Sequence, residues 1–385
     1  MLHYDPHSHA LHEDPYPVYA RLRDEAPLFR NEEHAFWAIS RFDDVVRALQ
    51  HPEIFTSTRA AAKGDPSQDM PMMIIMDPPR HDELRALVNR SFTPRRIAQL
   101  EPRVRQLAGR LIDGFIERGR CDLFAEFSAP LPTAVIAALL GVPDSDAEFF
   151  KQKSTEVVAA AGPVGGEGGG GAYELAAYLA KIFAEKRVRP GDDLMSELLA
   201  AEVGGRKLSE GELVGFALLL LVAGNETTTN LISNGTVLLD RHPEARRQLA
   251  ADASRIPLAV EEMLRFDPPV QGLERRIAQP HEVQGRRLEA GEKVFLLVAS
   301  ANRDPRRIER PDGFEIGRFP NRHLSFGWGT HFCLGASLAR LEARVAFEEL
   351  LRRLPEFRVA GPVERLHADV IRGLLGLPLE FRAAA

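Results

Sequence analysis

Apolar residues recur at helical spacing along much of the chain. Between positions 43 and 240 they return every three or four residues, as at Val104, Leu107 and Leu111. This is the period of a helix with one buried face. Proline and glycine clusters interrupt the pattern only briefly, so they predict short joints within one packed body. We therefore predict a mainly α-helical fold in which residues 1–385 form a single domain.

Strand patterns are short and lie near the two ends of the chain. Alternating apolar residues and flanking turn residues predict strands at 36–39, within 283–298, at 357–359 and at 377–381. These segments are too few to build a large sheet. A small β portion is therefore expected beside the helical core.

The longest helical pattern runs from Ser209 to Asp240. Ser209 and Glu212 have the spacing of a capping box, and Pro243 follows the end of the pattern. A helix of this length extends roughly 45 Å. Its most apolar part, 213–224, is shorter than the roughly 20 residues that cross a bilayer. We interpret it as a buried central helix and expect no membrane association.

Three segments lack a pattern that would order them. The histidine-rich first residues predict a flexible, solvated tail over about 1–12, and this interpretation is favoured over a metal site because the spacing matches no fixed motif. Glycine, proline and serine predict mobile loops over about 57–75 and 161–172. Either loop could be plain surface or a lid over a buried site.

Composition narrows the class of protein. With 44% hydrophobic and 27% charged residues the chain can bury a large core, and its net charge of -6 argues against nucleic-acid binding. The only cysteines, Cys121 and Cys333, do not form a disulfide framework. No apolar leader is visible, and a reducing compartment such as the cytoplasm is expected.

The segment Phe-Gly-Trp-Gly-Thr-His-Phe-Cys-Leu-Gly, residues 326–335, carries the strongest chemical signal. Three glycines surround Cys333, and a helical pattern follows directly. Glycine permits positive φ and close approach of a planar group, and amides at a helix N-terminus favour a thiolate. A thiolate is the ligand with which a haem iron activates oxygen. Cys121 lacks such a setting and is expected to be a small buried residue.

This spacing, Phe-Gly-x-Gly-x-His-x-Cys-x-Gly, resembles the haem-binding loop of the cytochrome P450 superfamily. The resemblance is to the soluble bacterial type and extends from Asp14-Pro15-Tyr16-Pro17 to Leu374. It implies a prism-shaped fold with haem b between the long helix and the cysteine loop. It also implies that Cys333 ligates the iron, His331 contacts a propionate and Phe326 shields the sulfur, in a loop shaped by Gly327 and Gly335.

The middle of the long helix resembles the oxygen-side element of the same family. The residues are Ala223-Gly224-Asn225-Glu226-Thr227. The resemblance implies that Glu226 and Thr227 are catalytic and relay protons. The small Ala223 and Gly224 are expected to admit the cofactor. Family members that use peroxide directly tend to lack the acid–alcohol pair, so dioxygen and electrons are implied.

Charged side chains are expected to hold the haem region. Glu262 and Arg265 are three apart on a predicted helix and can pair. The resemblance adds Arg318 to a structural trio. It also implies propionate contacts from His81, Arg85 and Arg276.

The resemblance implies a monooxygenase that hydroxylates or epoxidises a lipophilic small molecule, such as a polyketide, terpenoid, steroid or fatty acid. No flavin or nicotinamide motif is evident, so NAD(P)H would act through an external ferredoxin reductase and ferredoxin. By family position the substrate would contact apolar residues from four parts of the chain: Met72, Ile75, Leu220, Ala223, Val270, Leu273 and Leu374.

Two other classes remain open from the residues alone. A non-catalytic haem sensor or carrier would bind haem without needing Glu226 and Thr227. A cysteine hydrolase would use Cys333 and His331, although their separation by one residue makes cooperation awkward.

Overall fold

The structure is a computed structural model. It describes residues 2–58, 72–89, 92–160, 169–191, 193–203 and 205–384. Within these ranges the mainly helical prediction is confirmed. The α-helices are α1 His9–Glu13, α2 Tyr16–Glu25, α3 Phe42–Gln50, α4 Arg80–Asn89, α5 Pro94–Gln99, α6 Glu101–Asp113, α7 Pro130–Leu140, α8 Ala147–Ala160, α9 Gly169–Val188, α10 Leu194–Ala200, α11 Glu210–Arg241, α12 Pro243–Ala251, α13 Ile256–Phe266, α14 Val298–Ala301 and α15 Ala336–Arg353.

The strands are short, as predicted. They are β1 Leu28–Asn31, β2 Phe36–Ile39, β3 Phe55–Thr56, β4 Arg120–Asp122, β5 Glu202–Val203, β6 Arg206–Lys207, β7 Leu273–Ile277, β8 His281–Val283, β9 Arg286–Leu288, β10 Lys293–Leu296, β11 Glu356–Val359 and β12 Pro378–Arg382. Among the described residues they form a five-stranded sheet in the order β1-β2-β10-β7-β3, a three-stranded sheet β11-β12-β4 and two hairpins.

The predictions missed β1, β3, β4, β5, β6 and β7. In β7, Leu-Glu-Arg-Arg-Ile, three charged residues stand between two apolar ones and obscure the strand pattern. The strand forms because β10 pairs with it antiparallel, from Lys293 opposite Arg276 to Leu296 opposite Leu273. Pairing with a neighbour therefore decides this element rather than its own residue preferences.

Helix α11 organises the largest core. It begins and ends within one residue of the prediction, and the capping box of Ser209 and Glu212 is present. Its 32 residues span about 48 Å. Buried side chains of α6, α7, α9, α13 and α15 join those of α11 in one apolar cluster, while two smaller clusters lie at the five-stranded sheet. That residues 1–385 form a single domain stays a prediction.

The first residues are packed, which contradicts the predicted flexible tail over 1–12. Tyr4 is 2% exposed and lies among Tyr19, Phe36 and Phe29. Helix α1 follows, and its Leu11 is also buried. The apolar side chains of Tyr4 and Leu11 therefore anchor the segment, which an argument from composition overlooks.

The two predicted mobile loops lie largely outside the described residues. Of 57–75, the residues 57–58 and 72–75 are described, and Met73–Ile75 forms a 3₁₀ turn. Of 161–172, the residues 169–172 belong to α9, so that part of the loop prediction is wrong.

Candidate active site

Backbone hydrogen bonds fold the cysteine loop into a compact turn. The N–H of Cys333 donates to the Phe326 carbonyl (2.8 Å) and that of Gly327 to the Leu324 carbonyl (2.8 Å). Gly327 and Gly329 have φ of 71° and 68°. A Cβ on Gly329 would lie 2.8 Å from the Leu49 carbonyl oxygen. Glycine is therefore required at this position by both backbone conformation and packing.

The sulfur of Cys333 lies just before the N-terminus of α15. Cys333 is exposed as a residue, and a Cβ on Gly335 would lie 4.0 Å from its sulfur. Burial raises the pKa of the Cys333 thiol, while the Gly335 N–H and the charges of Arg85 and Arg340 lower it. These donors and charges would stabilise a thiolate once a metal replaces the proton. Arg340 also stacks on Phe326, 4.4 Å from the ring centre.

Two predicted propionate-binding histidines lie together beside this loop. The rings of His81 and His331 are 4.4 Å apart between centroids, and His331 Nε2 lies 3.1 Å from Ser57 Oγ. Burial, Arg275 and His81 lower the pKa of His331 to about 4. Arg85 donates through Nη2 to the Phe332 carbonyl (2.7 Å). The result is a group of cationic and imidazole donors suited to carboxylates.

The structure brings Arg275 into this group instead of the predicted Arg276. Arg276 Nη1 donates to the Gly291 carbonyl (3.0 Å). Adjacent residues of β7 point to opposite faces of the sheet. Arg275 is mostly buried, burial lowers its pKa, and no carboxylate of the described residues forms an ion pair with it. Alternation along a strand could have indicated Arg275 from the sequence, because Arg275 shares a face with the apolar Leu273 and Ile277.

The centre of α11 exposes one face of an otherwise buried helix. Residues 212–218 and 228–239 are buried, whereas Ala223 is exposed and Glu226 and Thr227 are partly exposed. Thr227 Oγ1 donates to the Ala223 carbonyl (2.7 Å), and the helix continues without a break. Burial raises the pKa of Glu226. Among the described residues no hydrogen bond or ion pair holds its carboxylate, which leaves it free to exchange a proton.

Gly224 is partly exposed and also packs closely against a neighbouring helix. A Cβ on Gly224 would lie 2.7 Å from Ile136 Cδ1, so this glycine lets α11 approach α7. Asn225 Nδ2 donates to Thr133 Oγ1 (2.6 Å) at the same interface. Gly224 therefore has a packing role between two helices, and its expected role beside the cofactor stays a prediction.

The predicted trio Glu262, Arg265 and Arg318 is brought together in the interior. Glu262 and Arg265 are each fully buried and pair at 2.7 Å, and Arg318 Nε lies 3.2 Å from Glu262. Sequence reasoning missed two further donors to the same carboxylate, Asn321 Nδ2 (3.0 Å) and the Glu315 N–H (2.8 Å).

The predicted substrate residues divide into two groups. Met72, Ile75, Val270 and Leu273 are partly exposed and Ala223 is exposed. Leu220 is nearly buried and Leu374 is 1% exposed, within the main core. A side chain so enclosed does not present a contact surface, so the structure does not support Leu374 in this role. Its neighbour Leu375 is 50% exposed, and sequence reasoning did not single it out.

These observations define a thiol-bearing loop, a group of carboxylate-binding cations and a long helix with an open centre. One sulfur suits an iron ligand, and the histidines and arginines suit two propionates, so the residues fit haem b. Among the described residues, no helix combines the length and apolar character needed to span a membrane.

Comparisons with known proteins agree with a haem-binding site. The family model "Cytochrome P450" matches residues 175–360. The chain is 41% identical to the vitamin D(3) 25-hydroxylase of Pseudonocardia autotrophica, over 98% of this chain and 96% of that protein. It is 36% identical to the polyketide biosynthesis cytochrome P450 PksS of Bacillus subtilis, over 99% of both chains. The structure of cytochrome P450 CYP109Q5 from Chondromyces apiculatus matches with a TM-score of 0.92 and 39% identity, covering 99% and 98% of the two chains.

The chain therefore belongs to the cytochrome P450 family, whose members are haem-iron monooxygenases. The prediction of this family and its fold is confirmed. Membership of this family excludes the cysteine-hydrolase alternative. In addition, no hydrogen bond links His331 to Cys333 among the described residues.

Proposed function

We propose that this protein inserts one oxygen atom from dioxygen into a lipophilic small molecule, by hydroxylation or epoxidation. Cys333 would ligate the iron, while His81, Arg85, Arg275 and His331 would bind the propionates. Haem with a thiolate ligand supplies the reductive activation of oxygen. The observation that carries the proposal is the group of arginine and imidazole donors that lies beside a cysteine at a helix N-terminus.

Glu226 and Thr227 of α11 would transfer protons on the side of the site opposite the cysteine loop. Because burial raises its pKa, the Glu226 carboxyl group holds its proton to a higher pH than an exposed glutamate does, and it can release that proton. The Thr227 hydroxyl gives its hydrogen to the Ala223 carbonyl, so its oxygen can accept from water. A haem sensor or carrier, the alternative function, would have no use for this arrangement.

The electrons would come from NAD(P)H through a ferredoxin reductase and a ferredoxin. Trp328 and Phe332 in the cysteine loop are 46% and 41% exposed, and Arg85 donates to the Phe332 carbonyl. Exposed aromatic residues next to a cation suit transient docking of an acidic partner. Two unpaired cysteines favour a reducing compartment, and we place the protein in the cytoplasm.

The substrate would be a lipophilic molecule of secondary metabolism. The accessible candidates Met72, Ile75, Ala223, Val270 and Leu273 are all apolar. The named relatives act on vitamin D(3) or in polyketide biosynthesis. Apolar linings with few polar groups suit such molecules.

A spectroscopic experiment tests the proposal. The reduced, carbon-monoxide-bound protein should show the strongly red-shifted Soret band of thiolate-ligated haem. Cys333→Ser should abolish this band and turnover, whereas the matched Cys121→Ser should keep both, because Cys121 is buried in the apolar core. An unchanged band in Cys333→Ser would overturn the proposal.

A further inference from the structure

Histidines and carboxylates from three distant parts of the chain meet at the packed N-terminal segment. Asp5, His7 and His34 each offer a ligand atom, and these atoms all lie within 4.8 Å of one another. His34 Nε2 is 3.6 Å from Asp5 Oδ1. We propose that these three side chains bind a divalent first-row transition ion of the zinc type.

The residues are held in position before any ion binds. Asn31, which is buried, donates through Nδ2 to the Tyr4 carbonyl (3.0 Å) and accepts the His34 N–H at Oδ1 (2.8 Å). One side chain thus fixes both the residue before Asp5 and the turn that carries His34. Asp5 Oδ1 also accepts the His7 N–H (2.9 Å). Such preorganisation reduces the entropy lost when an ion binds.

Asp369 supplies the orienting partner that histidine ligands usually have. Its Oδ1 lies 2.9 Å from His7 Nδ1. A metal-bound histidine commonly donates its second ring N–H to a carboxylate, which fixes the ring and its tautomer. His7 Nε2 is then left for the ion. Two imidazoles and one carboxylate are typical zinc ligands, whereas calcium and magnesium prefer oxygen alone.

A second histidine group nearby is less suited to the ion. His12 Nδ1 lies 3.0 Å from His367 Nδ1, and His12 Nε2 lies 2.6 Å from the Pro6 carbonyl. The ring of His9 stacks on His367 at 3.8 Å. Both nitrogens of His12 are therefore occupied by hydrogen bonds, so we place the ion at His7 and His34.

Equilibrium dialysis of the haem-loaded full chain against zinc chloride tests the site. Metal analysis should find one zinc per iron in the unaltered protein. His7→Ala and His34→Ala should each lose this zinc, and Asp369→Asn should bind it about 10- to 100-fold more weakly. The control is His51→Ala, because His51 is an exposed histidine that pairs with one carboxylate, Glu53, at 2.8 Å.

Two further results decide the assignment. His367→Ala should keep the zinc. If instead His367→Ala lost the zinc and His34→Ala kept it, the ion would bind at the second histidine group, and the proposal would be overturned. Equal zinc uptake in every variant would also overturn it. The iron content and melting temperature of each variant report folding. Zinc should raise the melting temperature of the unaltered protein and of His51→Ala but not that of His34→Ala.

Discussion

Two glutamates, one in α13 and one in α11, show opposite uses of a carboxylate away from water. Glu262 is fully buried and accepts hydrogen bonds from Arg265, Arg318 and further donors. Glu226 is partly buried, has no partner among the described residues, and its pKa is raised by burial. Hydrogen-bond donors surround Glu262, whereas Glu226 has none among the described residues, as the proposed proton transfer by Glu226 would require.

The Glu262 cluster stabilises the approach to the cysteine loop. Arg265 also donates to the carbonyls of Asn302, Pro311 and Gly313. Asn302 in turn accepts the Leu324 N–H at Oδ1 (2.7 Å), two residues before the loop begins. A buried network with this many hydrogen bonds holds several segments in one arrangement. The cluster therefore positions Cys333 without touching it.

Removing one member of the cluster should have the largest effect. Arg265→Leu leaves Glu262 buried with fewer donors, which we expect to cost about 3–5 kcal/mol of stability. The matched control is Arg247→Leu, since Arg247 pairs with Glu244 at the same spacing but both are about two-thirds exposed. That change should cost about 1 kcal/mol or less. Urea unfolding and haem content measure both, and similar losses would contradict the contrast.

Removing the proton-handling groups should affect catalysis instead of folding. We expect Glu226→Gln and Thr227→Val each to lower coupled product formation by about 100-fold. Electrons should still be consumed, because they would reduce dioxygen to hydrogen peroxide. Thr236→Val is the control, because Thr236 bonds the carbonyl four residues earlier in the same helix in the same way (2.9 Å). Product formed per NAD(P)H consumed is the measurement. Full coupling in Thr227→Val would exclude its proposed role.

The contrast also shows which features local sequence could predict. The bounds of α11 and the pairing of Glu262 with Arg265 follow from local spacing, and so they were predictable. Arg275 could not be separated from Arg276 without knowing that β7 is a strand. The contact of Gly224 with Ile136 could not be predicted, because Ile136 lies in a different helix.

Two glycines of α11, Gly224 and Gly235, differ in how tightly they pack against neighbouring side chains. Gly235→Ala would place a Cβ 2.6 Å from Phe347 Cζ and 2.7 Å from Met263 Sδ. Gly224→Ala would meet only the end of Ile136, which can move. Both should destabilise, by about 1–3 kcal/mol, with Gly235→Ala the worse. Ile136→Val should relieve the destabilisation caused by Gly224→Ala and leave that caused by Gly235→Ala unchanged. Urea unfolding of the double variants tests this, and failure of that rescue would refute the contact.

The smallest effect concerns stability and pH. Because folding raises the pKa of Glu226, the folded chain binds more protons than the unfolded chain between the ordinary and the raised values. Stability from this group is present at acid pH and is lost as pH rises through that window. Glu226→Gln should therefore weaken the pH dependence of folding stability. At pH 8 the variant should be as stable as the parent, or up to roughly 0.5 kcal/mol more stable.

Urea unfolding of parent and variant at pH 5 and pH 8 measures this difference. Glu262→Gln should instead lower stability at both pH values, because it weakens a buried ion pair whose other donors remain in place. If Glu226→Gln proved less stable than the parent at pH 8, its carboxylate would have a stabilising partner. It would then resemble Glu262, and the division between a fixed and a proton-exchanging carboxylate would fail.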